Sequence, residues 1–165
     1  MRCPPGHHPS RSTVEMIARA HQLTAVAISG RALLIDGAPG AGKSSLALAL
    51  IDRGAVLIGD DGVTLEIDDG ALFATPHPNT QGLLEVRNVG ILSFPTIQRA
   101  PVCLIIRLAP EAPRYIEWPE TIDLSGVRLP LVVIDEAGLN LALKAELALD
   151  RYGLPHHSVP SKDEG

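Results

Sequence analysis

Aromatic side chains, cysteine and positive charge are all scarce in this chain of 165 residues. Aromatic residues make up 3% of the sequence, so few flat side chains are available to stack on unpaired bases. Lys and Arg number 14 against 19 Asp and Glu, and the net charge of −5 gives no basic surface for a polyanion. We therefore expect no nucleic-acid partner. Any phosphate ligand must be held locally, by backbone amides and one or two cations.

The sequence also lacks a continuous apolar run of about 18 residues, the length that a membrane span requires. We therefore expect no membrane insertion. Residues 1–13 have no apolar centre of the kind that secretory signal peptides carry. The two cysteines, Cys3 and Cys103, are far apart, and Cys103 lies within an apolar run, which favours a buried thiol in a reducing compartment. Together these features predict a cytoplasmic protein.

Aliphatic residues, by contrast, are abundant. The chain is 45% hydrophobic and 20% charged, which is the composition of a globular protein. Both ends are rich in Pro, Ser, His and charge, so we expect flexible tails over residues 1–12 and 155–165. The remaining residues, 13–154, are of suitable length for a single domain.

The apolar patterns predict many short strands and few helices. "AHQLTAVAIS" (20–29) and "RALLID" (31–36) flank Ser29-Gly30 and indicate a β-hairpin, and "SSLALALIDR" (44–53) is helical, with Gly54 as its stop. The fold class predicted is α/β with a mixed β-sheet and less regular alternation than a standard Rossmann domain. Further strands are expected at 55–61, 63–67, 71–75, 102–109 and 129–135, with a hairpin turn at Asp69-Gly70 and a second helix over 138–151.

The segment "GAPGAGKS" (37–44) fits the phosphate-binding pattern G-x-x-x-x-G-K-[ST] and has a strand before it and a helix after it. Glycines let the backbone amides of such a loop turn inward around phosphate oxygens, and the helix start adds partial positive charge. Lys43 would reach the β- and γ-phosphates, and the Ser44 hydroxyl would ligate Mg²⁺. The predicted ligands are ATP and Mg²⁺, with the nucleotide held by Gly37, Ala38, Pro39, Gly40, Ala41, Gly42, Lys43, Ser44 and Ser45.

Asp60 and Asp61 are expected at the C-terminal end of the strand that follows the loop helix. In a parallel βαβ unit neighbouring strands end at the edge where the loop lies, so we expect the pair near the γ-phosphate. Successive residues of a strand face opposite sides, and the two aspartates should therefore have different roles. One would help to hold the metal or orient a partner, and the other would take a proton from an attacking hydroxyl.

The phosphate loop, the following "LALALIDRGAVLIGDDGV" (46–63) and the later "GLLEVRNVGIL" (82–92) together resemble the catalytic domain of the HPr kinase/phosphorylases. The resemblance implies an HPr kinase/PEP carboxykinase-like fold. It also implies a serine kinase whose partner is HPr, the phosphocarrier of the bacterial phosphotransferase system. The length is similar to that of short alphaproteobacterial members without the N-terminal domain, and family members form hexamers, so a homo-oligomer is expected.

The resemblance implies roles for individual residues as well. Asp61 matches the proton acceptor in phosphorylation, which is also the proton donor in the reverse reaction, and Asp60 matches its partner. Glu85 matches a Mg²⁺ ligand alongside Ser44, since Mg²⁺ prefers oxygen ligands. The other catalytic residues that the resemblance implies are Lys43, His21, Arg87 and Arg114.

Two departures from the family pattern matter. Asn88 stands where the signature has glycine, but asparagine tolerates left-handed backbone angles, so we expect the turn to survive. The segment "RLPLVVIDEAGLN" (128–140) keeps a proline, Pro130, but lacks the arginines that the family has after it. Since those cations are linked to dephosphorylation, we hypothesise that phosphorylase activity is weaker than kinase activity.

Other functions fit the same residues. Pyrophosphate is an alternative donor to ATP. The absence of an N-K-x-D guanine motif weakens a GTPase assignment. The alternatives are a kinase of a small metabolite, for which little room follows Glu85, and a nucleotide-binding regulatory module without transfer activity.

Overall fold

Ten strands and two helices make up the part of the chain that the structure, a computed structural model, describes, namely residues 22–155. In chain order they are β1 (Thr24–Ile28), β2 (Arg31–Gly37), α1 (Lys43–Asp52), β3 (Val56–Gly59), β4 (Val63–Asp68), β5 (Ala71–Pro76), β6 (Leu83–Val86), β7 (Gly90–Ser93), β8 (Ala100–Ala109), β9 (Glu120–Leu124), β10 (Val127–Asp135) and α2 (Leu141–Tyr152).

Eight of the strands form one mixed sheet, as predicted. Its main path runs β3-β1-β2-β8-β10-β9, and the β4–β5 hairpin joins through a short antiparallel pairing of β5 with β8. The central strands β2, β8 and β10 are mutually parallel, whereas β1 is antiparallel to both of its neighbours, β2 and β3. Strands β6 and β7 form a separate two-stranded hairpin.

The pairing of β3 corrects one prediction. Strand β3 does not lie beside β2, because β1 is inserted between them. Since β1 is antiparallel to both, β2 and β3 still run in the same direction, and their carboxyl ends lie at one edge of the sheet. The expected proximity of the phosphate loop and the aspartate pair therefore survives, with a different topology beneath it.

The sheet is buried on both faces, which explains why its central strands read as continuous apolar runs. Leu33 and Ile35 of β2 pack in the cluster that includes Leu46 and Leu50 of α1. Ala32 and Leu34, which alternate with them, pack in a second cluster on the other face, together with residues of β4, β5 and β9. Burial of aliphatic surface on both sides is the main stabilising term for such a sheet.

The predicted turns and helix ends are largely confirmed. Ser29 and Gly30 have φ of 51° and 80°, and Asp69 and Gly70 have 50° and 77°, so both hairpin turns use left-handed residues. Gly54, with φ of 109°, follows the end of α1 and donates its N–H to the Ile51 carbonyl.

Helix α2 begins at Leu141, three residues after the start predicted from sequence, because Asn140 has a left-handed backbone with φ of 57°. Strands β6, β7 and β9 are short and were not predicted individually.

Cys103 is a buried free thiol, as expected. No helix within residues 22–155 combines the length and apolar character needed to cross a bilayer. Residues 1–12 and 156–165 of the predicted tails lie outside the described residues, as does Cys3.

Candidate active site

Asp60, directly after β3, connects three elements of the fold. Its side chain is buried, and its Oδ1 accepts hydrogen bonds from Thr24 Oγ1 at 3.0 Å and from Ser44 Oγ at 2.7 Å. Its Oδ2 accepts the backbone N–H of Glu85 at 3.3 Å. These bonds link β1, α1 and β6. They also offset the cost of burying the Asp60 carboxylate, because its oxygens have hydrogen-bond donors.

The turn that carries Asp60 is unusually tight. A Cβ atom placed on Gly59 would lie 2.2 Å from the carbonyl oxygen of Gly62, so no other residue fits at position 59 without movement of the backbone. Asp61, between them, has φ of 49°. The "GDDG" sequence thus bends the chain sharply enough to direct the two carboxylates to different places.

Asp61 lines an open pocket, whereas Asp60 is buried and is not among the residues that line it. Partial burial raises the pKa of the Asp61 carboxyl above its ordinary value, and the negative charge of Asp60 raises it further. Lys43 acts in the opposite direction, and Glu85 adds another upward shift. A carboxylate whose pKa is raised in this way binds a proton more readily than an ordinary aspartate.

The phosphate-binding loop forms the floor of the same pocket. Gly40 and Gly42 have φ of 84° and 101°, angles that strain any residue with a side chain. The Nζ of Lys43 donates to the carbonyl oxygens of Gly37 at 2.8 Å and Ala38 at 3.4 Å, which holds the ammonium group against the loop.

The pocket has a volume of about 460 Å³ and brings together most of the residues that the sequence singled out. Glu85 and Arg87 reach it from the β6–β7 hairpin. Asn88, with φ of 71°, turns that hairpin as expected. The lining consists of Gln22, Pro39, Gly40, Gly42, Lys43, Ser44, Ser45, Asp61, Glu85 and Arg87.

Of the predicted catalytic residues that the structure describes, Asp60 and Arg114 are not among those that line the pocket. Arg114 is exposed in the loop between β8 and β9. His21 lies outside the described residues, although its neighbour Gln22 contributes to the lining. The roles of Arg114 and His21 remain predictions.

Thr24 and Gln22 were not anticipated from the sequence. Thr24 is fully buried and bonds to Asp60, and its signal was a polar residue within the otherwise apolar strand "TAVAI". A hydroxyl at such a position requires a buried partner, but the sequence does not show which carboxylate supplies it. No sequence feature pointed to Gln22 as a site residue.

The residues present fit a bound Mg²⁺ ion. Ser44 and Glu85 both line the pocket, and each donates to Asp60, Ser44 through its hydroxyl and Glu85 through its backbone N–H. The Ser44 hydroxyl oxygen and the Glu85 carboxylate oxygens are hard ligands of the kind that Mg²⁺ accepts. Within the described residues there is no group of three or more His, Cys, Asp or Glu side chains arranged to hold a metal alone. This agrees with Mg²⁺ sites in which substrate phosphates supply part of the coordination.

The fold and the site define a class of protein: an α/β domain in which a central strand leads through a phosphate-binding loop into a helix, with an aspartate pair and a glutamate beside the loop. The sequence profile of the HPr Serine kinase C-terminal domain matches residues 15–100, just over half of the chain. The chain therefore belongs to this family, as the motifs predicted.

Comparison with individual proteins agrees with this assignment. The HPr kinase/phosphorylase of Clostridium novyi is 33% identical over 144 residues, which cover 78% of this chain and 47% of that protein. The corresponding protein of Exiguobacterium sibiricum is 32% identical over 153 residues, covering 84% and 49%. The chain thus spans about half the length of the curated relatives that it matches.

A solved structure, the HPr(Ser) kinase/phosphatase from Coxiella burnetii, superimposes with a TM-score of 0.70 at 26% identity. The match covers 78% of this chain and 92% of that one, and it confirms the predicted fold class.

Proposed function

We propose that this protein is an ATP- and Mg²⁺-dependent serine kinase whose acceptor is an HPr-like phosphocarrier. The observation that carries the proposal is the position of Asp61. A carboxylate with a raised pKa lines the same pocket as the phosphate-loop residues Lys43 and Ser44. A proton acceptor beside a phosphate cradle is the arrangement that phosphoryl transfer to a hydroxyl requires.

In the proposed reaction Asp61 accepts the proton of the acceptor serine while the serine oxygen attacks the γ-phosphorus atom. A new O–P bond forms, and the bond between the γ-phosphorus and the β–γ bridging oxygen breaks, so that ADP leaves with the bonding electrons. Lys43 and the backbone amides of the loop stabilise the negative charge on the phosphates. Mg²⁺ bound at Ser44 and Glu85 would neutralise further charge on the β- and γ-phosphate oxygens.

Asp60 has a different role in this proposal, that of a positioning residue. One Asp60 oxygen accepts a hydrogen bond from the Ser44 hydroxyl, which is assigned to the metal. The other accepts the backbone N–H of Glu85, whose side-chain carboxylate is the second assigned ligand. Its negative charge also contributes to the raised pKa of Asp61. In this proposal Asp60 therefore positions the metal ligands, and Asp61 accepts the proton.

The surroundings of the pocket favour a protein acceptor over a small metabolite. The hairpin that supplies Glu85 and Arg87 also exposes Val89 and Ile91, each 68% exposed, together with Leu92. Exposed apolar side chains on a hairpin that also supplies pocket residues are suited to contact with a folded partner. The name of the relatives, HPr kinase/phosphorylase, supports HPr as that partner.

Transfer of label tests the proposal. The purified protein is incubated with Mg²⁺, ATP labelled at the γ-phosphate and HPr, in parallel with HPr variants in which the phosphorylatable serine or histidine is replaced by alanine. We expect label on wild-type HPr and on the histidine variant, and none on the serine variant. Label on the serine variant, or binding of ATP without transfer to any HPr, would contradict the proposal.

A further inference from the structure

A second pocket lies on the other side of the phosphate-binding loop, with a volume of about 310 Å³. Pro39 and Gly40 line both pockets, so the two meet at the crest of the loop. The catalytic groups Asp61 and Glu85 line the first pocket only. A donor whose terminal phosphate lies beside Asp61 therefore has a path over the loop into the second pocket.

The sheet topology builds this second pocket. The parallel strands β2, β8 and β10 end at one edge, where Asp36, Arg107 and Glu136 come together. The Nε of Arg107 donates to Asp36 Oδ2 at 2.9 Å, and the backbone N–H of Glu136 donates to the Ala109 carbonyl at 2.8 Å. The side chain of Arg107 is 30% exposed, while that of Asp36 is 3% exposed, so the guanidinium is the part of the pair that reaches solvent.

The charges of the second pocket argue against a phosphate ligand. Two carboxylates, Asp36 and Glu136, line it together with one guanidinium, and that guanidinium is already bonded to Asp36. An added anion would meet net negative charge there, whereas the hydroxyl groups of a neutral ligand would find a carboxylate acceptor.

We propose that the second pocket is the nucleoside subsite of the phosphate donor. The Glu136 carboxylate accepts hydrogen bonds from the ribose hydroxyls, and the base packs on the apolar surfaces of Pro39 and Pro110. This inference rests on the proposed binding of a nucleotide at the loop. It adds that the nucleoside, bound in the second pocket, is what makes the protein prefer ATP to an inorganic polyphosphate.

The test compares the binding of ATP and of inorganic tripolyphosphate by calorimetry, with Mg²⁺ and without any acceptor. Wild type should bind ATP about tenfold more tightly than tripolyphosphate. Glu136→Ala should remove most of that preference by weakening ATP alone, and its unchanged affinity for tripolyphosphate also serves as the control for folding. Glu120→Ala is the matched control, because Glu120 is an exposed carboxylate of β9 outside both pockets.

Two results would overturn the inference: equal affinity of wild type for ATP and tripolyphosphate, or an equal loss of both in Glu136→Ala. Either can occur while label still passes from ATP to HPr, so the kinase proposal would stand. Conversely, a preference for ATP that depends on Glu136 supports the subsite even if no HPr is labelled.

Discussion

At the scale of single residues, the raised pKa of Asp61 gives a prediction about stability. A raised pKa in the folded state means that Asp61 favours folding below its ordinary pKa of about 3.9, and that this contribution is lost as pH rises through the raised value. Asp61→Asn should therefore be more stable than wild type at pH 7. The difference should shrink as pH falls through the raised pKa toward the ordinary one, because wild type takes up the proton over that range. Thermal unfolding at several pH values measures it.

The control for this prediction is Asp69→Asn. Asp69 is exposed and has φ of 50°, close to the 49° of Asp61, so asparagine gains the same left-handed backbone preference at both sites. A stabilisation of Asp61→Asn that is the same at every pH, and equal to that of Asp69→Asn, would show that the charge of Asp61 is not destabilising.

The Thr24–Asp60 bond gives a second prediction at this scale. Thr24→Val keeps the volume of a fully buried side chain but removes the hydroxyl that donates to Asp60 Oδ1. We expect the free energy of unfolding in urea to fall by about 2 kcal/mol, since the bond is to a buried carboxylate. Thr64→Val, at an exposed position of β4, should change it by no more than about 0.5 kcal/mol. Equal losses in the two variants would argue that the hydroxyl bond itself contributes little.

Individual site residues differ in how far the sequence could predict them. Lys43, Ser44 and Asp61 belong to local motifs whose spacing is fixed by one strand, one loop and one helix. Their meeting in one pocket was therefore predictable. Thr24, Arg107 and Glu136 come from strands distant in sequence, and their positions depend on pairings that local patterns do not encode.

At the scale of elements, the β6–β7 hairpin is the feature expected to contact the acceptor. Ile91→Ser should raise the KM for HPr by about five- to tenfold through loss of apolar contact, with no change in ATP affinity. Steady-state kinetics with HPr varied at saturating ATP measure this. The matched control is Ile67→Ser, because Ile67 is 50% exposed on the distant β4–β5 hairpin. An unchanged KM in Ile91→Ser, or an equal rise in both variants, would contradict the assignment.

Strong local signals predicted the β1–β2 and β4–β5 hairpins, because each combines alternating or apolar strands with a turn residue that tolerates left-handed angles. The β6–β7 hairpin gave a weaker signal. Its strands have four residues each, and every residue of β7 is exposed, so no buried face marks it in the sequence. The insertion of β1 between β2 and β3 was unpredictable for a different reason, since nothing local distinguishes the two possible neighbours of β2.

At the scale of the whole molecule, charge gives a prediction about the balance between the proposed kinase reaction and its reverse. The segment 128–140, which forms most of β10 and the turn into α2, lacks the arginines that the family places after the proline and instead contributes Glu136 to the second pocket. We predict that phosphate release from serine-phosphorylated HPr, at saturating inorganic phosphate, is slower than the forward transfer. Comparison of the two rates in one preparation measures this, and equal rates would contradict it.

The proposed reaction depends above all on the removal of the acceptor serine's proton by Asp61. The most direct test is the rate of phosphoryl transfer from ATP to HPr in a single turnover, for wild type, Asp61→Asn and Asp69→Asn across a range of pH. We predict that Asp61→Asn is slower by about 100-fold or more, that Asp69→Asn matches wild type, and that the wild-type rate falls as pH drops through the raised pKa of Asp61. Transfer by Asp61→Asn at close to the wild-type rate would contradict the account.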